Sequence, residues 1–261
     1  MNRKLILIGV GALALVAIVG AVIFGILLRE PEAASGPLSA VPIAVATSGA
    51  ATTPGAAAAQ AQTTAGPQSS GAAAPVAAAG PDQLIFQIVP DQSEARFQLS
   101  EVLRGQPNTV VGKTNQIAGQ LAVSPKDLSA TQLGKIQINA RTLATDDERR
   151  NRAIQNYILN TNNYELISFE PTSITGLSGP AALGQPYNFE VAGNLTIRDV
   201  TRPVVFKATA QAESADRLVG NASTVIKRSD YNLTIPNVPF VANVSEDVTL
   251  ELDFVATPVQ Q

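Results

Sequence analysis

At 261 residues, with a formal net charge of -3 and acidic and basic residues interspersed, the chain has no basic stripe with which to grip a nucleic acid. It contains no Cys and no His, which excludes thiolate metal sites, Cys nucleophiles, the commonest metal ligand and the commonest neutral-pH general base. A domain of ordinary size builds its core without disulfides, so the missing Cys does not argue against export.

The first predicted element is a membrane span. Residues 5–28 carry no charge and consist of Leu, Ile, Val, Ala, Gly and one Phe. About 20 apolar residues suffice to cross a bilayer core of about 30 Å. Arg3 and Lys4 precede the run, which keeps the N-terminus in the cytoplasm and sends the rest of the chain across. The competing reading is a cleaved signal peptide ending near Ala33-Ala34, although the apolar region of such peptides is usually about 7–15 residues.

From Ala33 to Pro81 there is no Asp, Glu, Lys or Arg and no aromatic residue. A segment so poor in apolar side chains cannot offset its ordering entropy. Residues 31–81 therefore read as a disordered linker with a root-mean-square span of roughly 40 Å.

Beyond Asp82 the period becomes two. Ala95, Phe97 and Leu99 alternate with Arg96, Gln98 and Ser100. Ile117, Gly119, Leu121 and Val123 alternate with Ala118, Gln120 and Ala122. The same pattern runs through Phe189, Val191, Gly193, Leu195 and Ile197, through Val204, Phe206, Ala208 and Ala210, and through Val248, Leu250, Leu252 and Phe254. Such alternation marks strands with one buried and one wet face. Turn signals at Ser124-Pro125, Gly179-Pro180, Gly184-Gln185-Pro186, Thr201-Arg202-Pro203 and Ser229-Asp230 separate them. Eight or nine antiparallel strands, closed as a barrel or folded as a sandwich, follow. One helix interrupts them: Thr145 and Glu148 have capping-box spacing, and Ala153, Ile154, Tyr157 and Ile158 share one helical face.

Candidate chemistry is sparse. Asp146, Asp147 and Glu148 form the densest carboxylate cluster, and helix capping accounts for it. Arg149, Arg150 and Arg152 make a short basic run, either a solvated face or, at a barrel mouth, a contact for an anionic head group. Asn-x-Ser/Thr triplets begin at Asn194, Asn221, Asn232 and Asn243, and would be glycosylated only in a eukaryotic secretory route. No nucleophile elbow and no phosphate loop is present. Small residues on the apolar faces (Gly119, Gly193, Ala208, Ala210, Ala222) make room, and an eight-stranded barrel is either just filled by its side chains or holds one small ligand.

Several stretches resemble the YceI-like family of bacterial exported proteins. Residues 191–204, Val-Ala-Gly-Asn-Leu-Thr-Ile-Arg-Asp-Val-Thr-Arg-Pro-Val, are similar to its G-x-L-T-[IL]-[RH]-G-V-T-[KR]-P-V signature. Asp91-Gln92-Ser93 followed by Ala95-Arg96-Phe97 resembles its opening D-x-x-H-S strand, and Gly119-Gln120-Leu121 its G-x-[ILF] strand. Residues 145–152, with Asn163-Tyr164 and Ile167-Ser168-Phe169, resemble its helix and the following strand; Ile226-Lys227-Arg228-Ser229-Asp230-Tyr231 resembles its [IL]-x-R-x-[DE]-[FYW] strand. Gln92 stands where the family has His, and residues 163–166 lack the family's Pro.

The resemblance implies a lipocalin-like barrel that binds a long isoprenoid or similar lipid in its interior. The expectation is thus a mainly β protein: an antiparallel eight-stranded lipocalin-like barrel with one short helix over residues 82–258, a linker over 31–81, and a membrane anchor over 1–30 that holds the barrel outside the cell. Its lining would be Phe97, Leu99, Ile117, Leu121, Phe169, Phe189, Val191, Leu195, Ile197, Phe206, Ala208, Leu250 and Leu252, with Arg149, Arg150 and Arg152 toward the head group. The partners expected are a lipid or isoprenoid chain and the membrane, not a nucleic acid; a homodimer is compatible with the sequence. No cofactor, metal or catalysis is expected. The alternatives are a scaffold or stress protein with a side-chain-filled barrel, and a lipid-modifying enzyme using carboxylates.

Overall fold

The computed structural model describes residues 31–43 and 82–259. The expected membrane span over 5–28 lies outside them, as do residues 44–81 of the expected linker. Among the described residues no helix is long and apolar enough to cross a membrane. The strands are β1 (Leu84–Ile88), β2 (Glu94–Leu103), β3 (Gln106–Thr114), β4 (Ile117–Ala118), β5 (Gln120–Val123), β6 (Gln132–Leu133) and β7 (Ile136–Asn139). After helix α1 (Glu148–Ala153) come β8 (Leu166–Thr175), β9 (Pro186–Ile197), β10 (Val200–Ser214), β11 (Arg217–Lys227), β12 (Val241–Ala242) and β13 (Asp247–Pro258). All pair antiparallel within one curled, lipocalin-like sheet.

Among the described residues the count is thirteen strands rather than the eight or nine expected. Three of them, β4, β6 and β12, are two-residue pairings. The expected strand over 117–123 divides at Gly119, because β4 pairs with β7 while β5 pairs with β1 and β6. Pairings run from β2 to β3, then from β4 through β7, β8, β9, β10 and β11 to β13 and back to β2, so the sheet wraps around its interior.

Antiparallel order gathers the connections at two ends. One end carries the β2–β3 hairpin, the β7–β8 connection with α1, the β9–β10 turn and the long segment between β11 and β13. The other carries the β8–β9 loop and the β10–β11 turn.

Two local expectations are corrected. The turn expected at Thr201-Arg202-Pro203 lies earlier, at Arg198-Asp199, with Ile197 paired to Val200 and Arg198 at φ +58°. Pro203 is tolerated within β10 because β11 pairs only from Lys207 onward, which leaves that stretch with one neighbour. The helix cap is Asp147, not Thr145: its carboxylate accepts the N–H groups of Arg149 (2.8 Å) and Arg150 (2.9 Å). The Thr145 hydroxyl donates instead to Oδ1 of buried Asn151 at 2.7 Å. The helix thus begins later than the capping-box reading has it, and it continues as a π-helical turn over Ile154–Ile158.

The wet face expected for Ala118, Gln120 and Ala122 is buried. Residues 31–43, assigned by composition to the linker, lie on this wall without regular secondary structure. Ile43 is only 6% exposed, packs with Ala122 and Ile85, and donates its N–H to Oε1 of Gln120 at 2.9 Å. Apolar area covered there leaves water without any periodic pattern in the covering strand of chain.

Candidate functional site

The interior divides along the barrel axis. Toward the end with the β8–β9 loop, Phe86, Phe254 and Ala256 pack with Ala210 and Leu218 as a plug. Toward the helix end the same interior opens into a cavity of about 490 Å³. Volumes of about 300–1,000 Å³ are usual for small-molecule sites.

The wall is built by long strands that alternate inward. β2 supplies Phe97 and Leu99, β8 supplies Ile167 and Phe169, β9 supplies Val191, Leu195 and Ile197, and β13 supplies Val248, Leu250 and Leu252. Phe206 of β10 meets Phe169 edge to face, with ring centroids 5.0 Å apart. The helical segment lies across the opening and turns Ile154, Ile158 and Leu159 inward. The rim is completed by Leu233, Ile235, Pro236, Val238, Pro239, Phe240, Val241 and Val244 between β11 and β13.

Of the thirteen lining residues expected, nine border the cavity: Phe97, Leu99, Phe169, Val191, Leu195, Ile197, Phe206, Leu250 and Leu252. Ile117 is fully buried in the core beside it, and Leu121 packs between that core and the plug. Phe189 and Ala208 pair across β9 and β10 and do not border it. The rim loop was missed because it has neither strand nor helix period. Its one signal is that residues 231–245 contain no charged side chain.

The three arginines expected at the mouth diverge. Arg149 and Arg150 both border the cavity. Arg150 turns onto Glu101, at 3.2 Å, and onto Asp146, so its charge is matched. Glu101 is buried and also accepts from Nδ2 of Asn108 at 2.9 Å. Arg152 is exposed and does not border the cavity. Two further arginines stand at the rim, Arg104 and Arg228. Arg228 clamps the rim loop: it pairs with Glu246 and donates to the carbonyls of Ser245 (3.1 Å) and Leu233 (3.3 Å).

Little here points to acid–base work. Tyr231 is buried, and burial, with Asp230 beside it, pushes its phenol up to about 12, so it stays neutral. Asp146 and Asp147 are engaged by Arg150 and by the helix cap. Among the described residues no three of His, Cys, Asp or Glu are grouped to hold a metal. Gln92, at the position of the family's His, is exposed and accepts from Nη1 of Arg217 at 2.7 Å, away from the cavity. A shallow depression on the outer wall, bordered by Asn188, Glu190, Lys207 and Asn221, shares no residue with the cavity.

Comparison with known proteins gives the same picture of the fold. The model of the YceI-like domain matches residues 86–256. A UPF0312 protein of Shewanella sp. (strain ANA-3) is 26% identical over 187 residues, 68% of this chain and 90% of that protein. A polyisoprenoid binding domain from Saccharophagus degradans, implicated in plant cell wall breakdown, superposes with a TM-score of 0.53 at 16% identity, over 67% of this chain and 99% of its own. BcnA of Burkholderia cenocepacia superposes with a TM-score of 0.52 at 18% identity, over 65% and 99%.

Proposed function

Because the chain belongs to the YceI-like domain family across residues 86–256, we propose that it binds a long-chain lipid, isoprenoid-like or another amphiphile, in the barrel interior without catalysis. The observation that carries this is the cavity of about 490 Å³ with its largely aliphatic and aromatic wall. At about 24 cal/mol per Å³ of unfilled apolar volume, leaving it empty forgoes at most about 12 kcal/mol of packing, less where the mouth admits water. An apolar chain recovers part of that. The solved relative from Saccharophagus degradans, a polyisoprenoid binding domain by description, shares the fold.

The setting proposed is the outer face of the cytoplasmic membrane. The uncharged run over 5–28 and the basic pair before it support that placement. The test is organic extraction of the full-length protein followed by mass spectrometry. A long apolar molecule present at about one per chain is expected. A well-folded protein that yields nothing beyond the purification detergent overturns the proposal in favour of a scaffold.

A further inference from the structure

We propose that the open end of the cavity is seated against the bilayer from which the chain emerges, held there by docked residues 31–43 and by the apolar rim that carries Phe240. This rests on the lipid-binding function and the membrane placement proposed above, and on separate observations for the geometry of the mouth.

The first observation is where the N-terminal segment enters the fold. The Glu32 carboxylate pairs with Nη2 of Arg141 at 3.0 Å, and Nη1 of Arg141 donates to the carbonyl of Ala33 at 3.0 Å. The amide and hydroxyl of Ser35 both donate to Oε1 of Glu165 at 2.8 Å. Arg141 and Glu165 belong to the β7–β8 connection, at the end where the cavity opens. Ile43, at the other end of the segment, sits lower on the wall against Gln120. The segment therefore enters at the mouth and runs away from it. Only Arg29 and Glu30 separate Pro31 from the end of the apolar run at Leu28. At about 3.3–3.6 Å per residue, so short a tether reaches roughly 10 Å.

The second observation is the surface presented there. Phe240 is 76% exposed and Val238 40% exposed, on an uncharged stretch that also holds Pro236 and Pro239. The carbonyl of Phe240 accepts the N–H of Arg104 at 2.7 Å, which pins the rim loop to the β2–β3 hairpin. Phe240 has φ +70°, a conformation that bulky residues rarely adopt. Apolar residues exposed on the rim of an apolar cavity suit the boundary between head groups and acyl chains. Charges nearby are mixed, Arg104, Arg149 and Arg150 against Asp146, Asp147 and Glu148, so the attraction is apolar and zwitterionic lipid suffices.

The chain has no Cys, so one label site can be introduced at a time. Full-length protein carrying Val238→Cys is labelled with a small fluorophore and reconstituted into phosphatidylcholine vesicles containing brominated phosphatidylcholine. Leu183→Cys, 67% exposed on the β8–β9 loop at the opposite end, is the control. The label at position 238 should be quenched severalfold by brominated lipid and shielded from aqueous iodide, and the label at 183 should show the reverse. Equal accessibility at the two positions overturns the proposal. Combining Glu32→Ala with Ile43→Asp releases the docked segment without altering the wall residues, and should reduce quenching at 238 severalfold. Undiminished quenching overturns the holding role of residues 31–43. Lipid extraction from the purified full-length protein before reconstitution separates the two proposals: carried lipid with both labels in water after reconstitution defeats the membrane seat alone, and a buried label with no carried lipid defeats the binding function alone.

Discussion

Gly112 of β3 lies directly opposite Phe97 of β2, and a Cβ built on Gly112 would stand 2.1 Å from Cε1 of the Phe97 ring. The glycine is what lets the ring fold back over its neighbour and leave the cavity beyond it open.

Gly112→Ala should therefore push the Phe97 ring into the cavity. The obstruction is the far end of a side chain that can turn, so the stability cost stays near 1 kcal/mol, in the lower part of the overpacking range. Bound lipid should fall while the fold is retained. Gly193→Ala is predicted to be worse for stability, because its Cβ would stand 2.5 Å from the backbone carbonyl oxygen of Glu170 as well as against Phe169. Urea unfolding and lipid extraction of the two variants check the contrast; equal costs would count against it.

The docking of residues 31–43 should depend on pH through Glu165. Its carboxyl is held below the ordinary value of 4.5, first by the Ser35 N–H, with the Ser35 hydroxyl, Asn139 and Arg141 adding to this and burial opposing it. A depressed value in the docked state means that the stabilisation is fully present above 4.5 and is lost as pH falls through the lower, docked value. A fluorophore on Ala34→Cys should gain mobility on acidification below about pH 4.5. With Glu165→Gln it should already be mobile at neutral pH and show no such transition. Mobility independent of pH in the wild-type background would refute the link.

The helix start offers a third test. Asp147→Ala leaves two amides of the first turn without their acceptor and should cost about 1 kcal/mol, and Asp147→Asn less. The Asp147 carboxyl is held below its ordinary 3.8, chiefly by the Arg150 N–H, so the cap weakens as pH falls through that lowered value, and it should not titrate in Asp147→Asn. Equal denaturation midpoints for wild type and Asp147→Ala would contradict this.

These contacts show what local sequence carries. The inward alternation of Phe97 and Leu99, or of Val191 and Leu195, is a property of neighbours on one strand, and it is legible because the sheet pleat enforces it. The cover over Gln120 and Ala122 is not: it comes from Ile43, far off in sequence, in a segment whose composition argues for disorder. Arg150 has the same problem on a smaller scale. As part of a basic run it looks like a free cation, yet its partner Glu101 lies on β2, 49 residues away. The rim loop is hidden for a different reason, since a loop that lines a cavity follows no period.

The last prediction separates a carrier from a filled barrel. Ala208 of β10 and Ala222 of β11 are register partners on the inward face, but only Ala222 borders the cavity, while Ala208 is 7% exposed. The native chain has no Trp, so an introduced indole reports alone. Ala222→Trp should place its ring in space that the ligand uses. The variant should melt close to the wild type, emit at short wavelength and carry severalfold less extractable lipid. Ala208→Trp should instead overpack the wall, at a cost of about 1–3 kcal/mol. Equal and large destabilisation by both would mean that the interior is already full and that the barrel is a scaffold. Should Ala222→Trp fold well and still carry as much lipid as the wild type, the chain would have to lie along another part of the wall, toward Phe97 of β2, and the Gly112→Ala variant described above would become the decisive one: the lipid lost on Gly112→Ala would then locate the bound chain beside that ring.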